Sequence, residues 1–241
     1  MWFLEVKNCL MAKKSVYLPK KNVVGVEIKK LDYEYFPGFS LSQKQKSINS
    51  LKASAEIQGI NNFLEVSSKS DNELGIALSA FNLKFETIRP RRVLAVENAF
   101  QASKVFENGG PYNDLLSVSA REAKQDTRLR DSGKLIKFRF YGKDYPNTPP
   151  TFFYDWLYIN ALIKNENLIK QVLKYDCFSD IEFNEKKSIN CQAYSVALFV
   201  SMKKNDIDLT QLKDKSNFLS ICKTEYEARW NKESQNLFCF N

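Results

Sequence analysis

The hydrophobic pattern of the first third of the chain predicts both strands and a helix. Residues 23–28 alternate loosely between apolar and polar side chains, and the lysines at either end suit the edge of a sheet. Residues 40–56 follow helical spacing, with Gly59 just past the end. Residues 63–66 predict a second short strand, so this region combines both kinds of structure.

Beyond Val93 the apolar spacing is mainly helical. Pro149 and Pro150 mark the start of one helix, and Gly109 marks the end of another. The whole pattern predicts an α+β protein that is mainly α-helical, with short strands in a small N-terminal extension. The predicted helices are 96–107, 120–128, 152–164, 168–175, 192–203 and 217–233.

Length and organisation favour one domain. The 241 residues contain no repeat, low-complexity tract or linker. We therefore expect a single domain over 1–241, made of an N-terminal extension (1–65), a core (66–204) and a C-terminal helical segment (205–241). Glu5 is acidic where a signal peptide would be apolar, and no stretch reaches the roughly 18 apolar residues of a membrane span. This predicts a cytoplasmic protein with no membrane partner.

The amino-acid composition limits which reactive groups the protein can use. The chain has no histidine, which excludes Ser-His-Asp and Cys-His mechanisms and imidazole-based zinc sites. Its five cysteines are scattered and contain no Cys-x-x-Cys pair, so we expect reduced, mostly buried thiols and no metal. Proton transfers must use Asp, Glu, Lys, Tyr or Cys. The net charge of +8 biases the surface towards polyanions such as nucleic acid, although lysine-rich proteins often carry such charge for solubility alone.

Two polar loops interrupt the apolar pattern. Residues 89–92 form a basic turn with three arginines, which can contact phosphate, although an exposed connector is the commoner explanation. Residues 176–190 form a longer loop that carries Asp180 and Glu182 and leads into an apolar helix. Loops on a rigid scaffold often hold the reactive groups of a protein.

A polar stripe lies between residues 96 and 106. Glu97, Gln101 and Lys104 are spaced i, i+4 and i+7, which aligns them along one side of a helix. Phe100 and Val105 flank the stripe, as apolar side chains do in the wall of a pocket. An ordinary exposed helix shows the same spacing, so the stripe alone leaves both interpretations open.

Residues 97–104 read Glu-Asn-Ala-Phe-Gln-Ala-Ser-Lys, which resembles the Glu-His-x-x-Gln-Ala-x-Lys helix of the NADAR (YbiA-like) family. Three further segments resemble motifs of that family and occur in the same order. They are Leu78-Ser79-Ala80-Phe81, Glu122-Ala123-Lys124-Gln125-Asp126-Thr127-Arg128 and Asp155-Trp156. The resemblance implies a helical NADAR-type domain.

Other segments resemble one branch of the family, the NADAR proteins found beside DarT-type toxins that ADP-ribosylate guanine in DNA. They are 36–44, 66–70, 153–158 and 186–193. The chain departs from the family pattern at three places. Asn98 stands for the usual His, Thr127 stands for the Gly before the Arg, and residues 178–180 read Phe-Ser-Asp where the family has Trp-Gly-Asp. The resemblance covers residues 23–204.

The resemblance implies an N-glycosidase that removes ADP-ribose from ADP-ribosylated guanine in DNA. Glu97 would hold the ribose hydroxyls or stabilise the cation that develops at the anomeric carbon. Lys104 can instead attack an opened ribose and form a Schiff base, if its pKa is lowered. The sequence leaves both routes open. Asp180 would position water or a ribose hydroxyl, and no cofactor is expected apart from ADP-ribose as product.

The resemblance and the polar segments around it also indicate the side chains that bind the ligand. They are Ser68, Lys69, Ser79, Phe81, Asn82, Gln101, Lys124, Arg128, Asp155, Trp156 and Asn190. The expected partners are ADP-ribosylated DNA, ADP-ribose and a cognate ADP-ribosyltransferase toxin. Two alternatives stay open: an N-glycosidase acting on small riboflavin-pathway intermediates, and a non-catalytic module that binds ADP-ribose or nucleic acid.

Overall fold

The computed structural model describes the backbone of residues 10–238 and the side chains of residues 10–229. Within this part of the chain, strands form three sheets of four, two and three strands. Helices account for 43% of the residues and strands for 23%. The expectation of a mainly α-helical protein with strands only in an N-terminal extension is therefore wrong, whereas an α+β class is compatible with the structure.

The four-stranded sheet joins segments that are far apart in sequence. Its strand order is β2-β1-β9-β3, with β9 parallel to β3 and antiparallel to β1. Val16 packs into one hydrophobic cluster and Tyr17 into the other, so both faces of β1 are covered and its buried run does not alternate. These strands are β1 (Leu10–Pro19), β2 (Val26–Tyr35), β3 (Phe63–Glu65) and β9 (Cys177–Ser179).

Helix α1 (Leu41–Ile57) packs against this sheet. Ser40 caps it by accepting a hydrogen bond from the Gln43 backbone N–H, and Gly59 lies past its end with a φ of 73°. Ile48 and Leu51 bury their side chains in the sheet's hydrophobic core. The predicted helix 40–56 and strand 63–66 are confirmed, while the predicted strand 23–28 begins only at Val26.

Each of the two smaller sheets contains a β-hairpin. One contains β4 (Lys84–Ile88) and β5 (Arg91–Ala95), so the arginine-rich turn 89–92 is an exposed hairpin connection. The other contains β6 (Lys104–Phe106), β7 (Leu135–Phe140) and β8 (Lys143–Pro146).

The main hydrophobic core surrounds two long helices, α6 (Phe152–Ile163) and α8 (Gln192–Lys204), whose side chains are largely buried. The predictions for these two helices and for α9 (Lys215–Phe238) are confirmed within a few residues. The other α-helices after α1 are α2 (Glu73–Ala77), α3 (Val96–Ala102), α4 (Ala120–Gln125), α5 (Arg128–Asp131) and α7 (Glu166–Val172). No helix in the described part of the chain has the length and apolar content needed to cross a membrane.

Two helix predictions fail at their ends. The helix predicted over 96–107 ends at Ala102, because the chain then pairs as β6 with β7, and Gly109 is not its stop. The helix predicted over 120–128 breaks at Asp126, whose extended backbone separates α4 from α5. At the first break, strand pairing overrides local helix spacing. At the second, Asp126 Oδ1 accepts a local hydrogen bond from the Arg128 backbone N–H.

Candidate active site

A cleft of about 630 Å³ lies where α3, α4, α6, the segment after β3 and the loop after β9 meet. Nine of the fourteen side chains expected from the sequence line it: Ser68, Lys69, Phe81, Glu97, Gln101, Lys104, Lys124, Asp180 and Asn190. The cleft is within the usual volume range of small-molecule sites. The structure therefore brings most of the expected residues together.

Gln192, the first residue of α8, forms hydrogen bonds with two segments beside the cleft. Its Oε1 accepts a hydrogen bond from the Ala80 backbone N–H at 2.7 Å, and its Nε2 donates to the Val66 carbonyl at 2.7 Å. The Glu97 backbone N–H in turn donates to the Ala80 carbonyl. These contacts hold the start of α3 in place beside the cleft.

Helix α3 supplies Glu97 and Gln101, both almost fully buried. Gln101 Nε2 donates to Glu97 Oε1 at 2.8 Å, which orients the carboxylate. Gln101 Oε1 has no hydrogen-bond partner among the described residues. Asn98, which replaces the family's His, donates to the carbonyls of Leu115 and Val118, so its contacts are with the backbone.

Lys104 reaches the cleft from strand β6 and not from a helix, so the expected i+7 helical position is wrong. Its Nζ lies 4.7 Å from the centroid of the Phe100 ring. Burial lowers the pKa of Lys104 to about 8, although the charge of Glu97 acts in the opposite direction, and Lys124 lowers it further. Among the described residues, no carboxylate forms an ion pair with Lys104 within 4.0 Å.

Asp180 follows β9 and is 5% exposed. Its Oδ1 accepts hydrogen bonds from the backbone N–H groups of Glu182 at 3.0 Å and Phe183 at 3.1 Å. Burial is the largest cause that raises the pKa of Asp180, to about 7, and the charge of Glu65 is the next. A carboxyl of this kind is able to hold or release a proton near neutral pH.

Several cleft residues were missed by the sequence analysis. Five basic side chains line it, and two of them, Arg121 and Lys187, were not expected; the other three are Lys69, Lys104 and Lys124. Glu65 is fully buried next to the Asp180 loop, and a charged residue inside the predicted apolar strand 63–66 was a visible signal for it. The exposed basic residues carry no such local signal.

Asp155 and Trp156 do not line the cleft. Asp155 is 1% exposed and accepts hydrogen bonds from Ser195 Oγ at 2.6 Å and the Tyr226 hydroxyl at 3.1 Å. Trp156 packs its ring 4.7 Å from that of Tyr145. Their positions on α6 point these side chains away from Tyr154, which does line the cleft.

Three further expected residues also lie outside the cleft. Ser79 is fully buried. Asn82 donates to the Ile76 carbonyl at 2.9 Å. Arg128 forms ion pairs with Asp114 and Asp126.

Among the described residues, no three or more Cys, Asp or Glu side chains form a group that could hold a metal ion. Cys177, Cys191 and Cys222 are free and buried. Cys9 and Cys239 lie outside the described side chains.

Most of this architecture corresponds to one protein family. The sequence matches the model of the DarT1-associated NADAR antitoxins over residues 12–232. A comparison with curated proteins finds no match. The family match includes the N-terminal hairpin, the cleft residues and most of α9, and it confirms the resemblance seen around Glu97. The chain belongs to the family of DarT1-associated NADAR antitoxins.

Proposed function

We propose that this protein is an N-glycosidase that removes ADP-ribose from ADP-ribosylated guanine in DNA and so reverses a toxin's modification. The observation that carries the proposal is the meeting of Glu97, Lys104 and Asp180 in one cleft. The three groups come from a helix, a strand and a loop. They provide an anion, an amine with a lowered pKa and a carboxyl that titrates near neutrality.

The lining of the cleft suits a phosphorylated, hydroxyl-rich ligand. Lys69, Arg121, Lys124 and Lys187 offer positive charge to a diphosphate or to the phosphates of a nucleic acid. The side-chain oxygens of Gln101 and Asn190 are buried and have no partner among the described residues. Unfilled acceptors of this kind suit the hydroxyl groups of a ribose or the amino group of adenine.

The environment of Lys104 supports the Schiff-base route. Its pKa of about 8 leaves roughly a tenth of the side chain as neutral amine at pH 7. The ribose opens when its C1–O4′ bond breaks and the proton of the guanine N–H passes to O4′, which leaves a C1=N bond to the base. The Lys104 amine adds to C1, and one of its protons passes to the guanine nitrogen. The C1–N bond to the base then breaks with its electron pair going to the base, which takes up a second proton, and a C1=N bond to Lys104 remains. Water then adds to the C1=N bond, which releases ADP-ribose and restores the amine. Glu97 stabilises the cationic Schiff base through its charge.

Release of free ADP-ribose from an oligonucleotide that is ADP-ribosylated on guanine tests the proposal. Lys104→Met should lower the rate by at least about 100-fold, because it removes the nucleophile and keeps the side-chain length. Lys215→Met is the matched control, since Lys215 also lies over an aromatic ring, that of Tyr145, but outside the cleft. It should retain the parent rate.

Trapping with cyanoborohydride distinguishes the Schiff-base route from a route without a covalent intermediate. Reduction of a Schiff base should attach ADP-ribose covalently to the parent protein and not to Lys104→Met. Release by Lys104→Met at the parent rate would rule out the amine as nucleophile.

Other results would favour the alternatives. Binding of free ADP-ribose without release would indicate a non-catalytic module. Activity only on small riboflavin-pathway intermediates, unaffected by salt, would indicate a metabolic glycosidase.

A further inference from the structure

Two buried charged residues, Lys14 and Glu65, lie beside the loop that carries Asp180 and take no part in the reaction described above. Lys14 on β1 is 9% exposed and Glu65 on β3 is 2% exposed. Both strands flank β9, which ends one residue before Asp180. Burying ionisable groups is costly unless specific contacts compensate, so the contacts of these two residues identify what they do.

Glu65 binds the residue on each side of Asp180. Its Oε1 accepts a hydrogen bond from the Ile181 backbone N–H at 2.7 Å, and its Oε2 accepts one from Ser179 Oγ. Both oxygens act as acceptors, which fits the ionised form of the carboxyl. Burial raises the pKa of Glu65, while Ser179, Ile181 and Lys14 oppose this effect.

Lys14 holds the same loop from strand β1. Its Nζ donates to the carbonyl oxygens of Ile181, at 3.5 Å, and Phe183. The cation therefore fixes the residues that follow Asp180 and partly balances the negative charge of Glu65.

Asp180 uses its two oxygens differently. Both of its hydrogen bonds end on Oδ1, which accepts from two backbone N–H groups. Oδ2 receives no donor from the described residues and Asp180 lines the cleft. A proton on this carboxyl therefore belongs on Oδ2, facing a ligand. The other titratable groups that interact with Asp180 are Lys124 on α4, Tyr154 and Tyr158 on α6, and Cys191 at the start of α8.

We propose that Asp180 donates the proton that the departing base needs, and that Glu65 and Lys14 are positioning residues that keep this proton on the oxygen facing the cleft. The inference rests on the proposed glycosidase function and adds an acid to it. As the bond from C1 to the guanine nitrogen breaks, the Oδ2 proton moves to that nitrogen. The water that later adds to the C1=N bond returns a proton to the Asp180 carboxylate.

The pH dependence of kcat/KM distinguishes positioning from mere support of the loop. The active form combines a protonated Asp180 with a neutral Lys104, so the pH optimum of kcat/KM lies midway between their two pKa values. When the pKa of Asp180 changes, this pH optimum moves by half of that change. Glu65→Gln removes a negative neighbour and lowers the pKa of Asp180, which shifts the optimum to lower pH. Lys14→Met removes a positive neighbour and shifts it to higher pH.

The opposite directions of these shifts are the decisive readout, because both variants also loosen the loop and reduce the rate. Ser179→Ala keeps the carboxyls of Glu65 and Asp180, and it replaces Glu65→Gln in the experiment if that variant does not fold. It should shift the optimum in the same direction as Glu65→Gln, by less. Glu225→Gln is the matched control, since Glu225 is a buried glutamate outside the cleft, and its optimum should equal that of the parent.

Optima that stay at the parent value, or that move in the same direction in the Glu65 and Lys14 variants, would overturn the positioning role while leaving the glycosidase intact. Absence of release by the parent at every pH would instead overturn the proposed function itself.

Discussion

The cleft around Asp180 and the helix junction around Asp155 each bury a carboxyl with a raised pKa, but they complete its hydrogen bonds differently. Asp155 accepts a donor on each oxygen, from Ser195 on α8 and Tyr226 on α9. Asp180 accepts both of its donors on one oxygen and leaves the other open. The pKa values, about 6 and about 7, are too similar to separate the two regions.

The comparison shows that these two buried carboxyls differ in how completely their hydrogen-bonding capacity is filled. Around Asp155 the polar groups satisfy one another and join three helices. In the cleft, the side-chain oxygens of Gln101 and Asn190 are also left unfilled. A buried carboxyl with a perturbed pKa is therefore informative only when its remaining contacts are counted.

The largest effect on activity is expected from a substitution in the cleft. Glu97→Gln should reduce ADP-ribose release by about 100- to 1000-fold, because the charge that stabilises the cationic intermediate is lost. The melting temperature should stay close to that of the parent, since a Gln oxygen can still accept the hydrogen bond from Gln101.

Glu86→Gln is the matched control for this variant. Glu86 is an exposed carboxylate that pairs with Arg91 on the β4–β5 hairpin, outside the cleft. Its neutralisation should leave the release rate unchanged. A Glu97→Gln protein as active as the parent would show that the cleft binds its ligand without using this charge.

A smaller effect, on stability and not on chemistry, is expected at the helix junction. Burial raises the pKa of Asp155 from 3.8 to about 6 in the folded protein. A raised carboxyl pKa favours the folded state at low pH, and this contribution is lost as pH rises from about 4 to 6. Asn does not titrate, so the free energy of unfolding of Asp155→Asn should rise relative to the parent by roughly 3 kcal/mol over this interval.

Urea unfolding of both proteins at pH 4 and pH 7 measures this difference. The ADP-ribose release of folded Asp155→Asn should equal that of the parent. A stability difference that does not change with pH would show that Asp155 is not the group that titrates there.

The smallest effect is expected at Trp156, where the resemblance implied a ligand-binding role. Trp156→Phe should cost about 1 kcal/mol of stability, because it removes ring contacts with Tyr145 and Phe153. The KM for the ADP-ribosylated oligonucleotide should not change, since the ring lies outside the cleft. A several-fold increase in KM would place Trp156 in contact with the ligand after all.

The local pattern of apolar and polar residues was sufficient to predict the long helices and the site residues whose positions depend on nearby sequence. The helices α6 and α8 have continuous apolar content, and α1 has a serine cap and a terminal glycine, all of which are readable without tertiary contacts. Glu97 and Gln101 lie one helical turn apart, as their spacing predicts.

Tertiary pairing decided the parts that the pattern did not predict. β6 and β9 have three residues each and exist only because distant strands pair with them. Lys104 reaches the cleft from such a strand, so the prediction that it lies on a helix was wrong. The expectation that Lys104 and Glu97 share one site agrees with their positions in the cleft. By contrast, Lys137, Phe138 and Arg139 in β7 alternate clearly, and that strand could have been predicted.

The strand order β2-β1-β9-β3 also has a consequence for synthesis on the ribosome. Lys14 and Glu65 are made early, but the loop that satisfies their charges follows β9, more than a hundred residues later. Until that segment emerges, the early strands cannot complete their sheet, and contacts so distant in sequence form slowly. A nascent or shortened chain that stops before the Asp180 loop lacks one wall of the cleft. The cleft is therefore complete only after the ribosome has made the chain as far as Gln192.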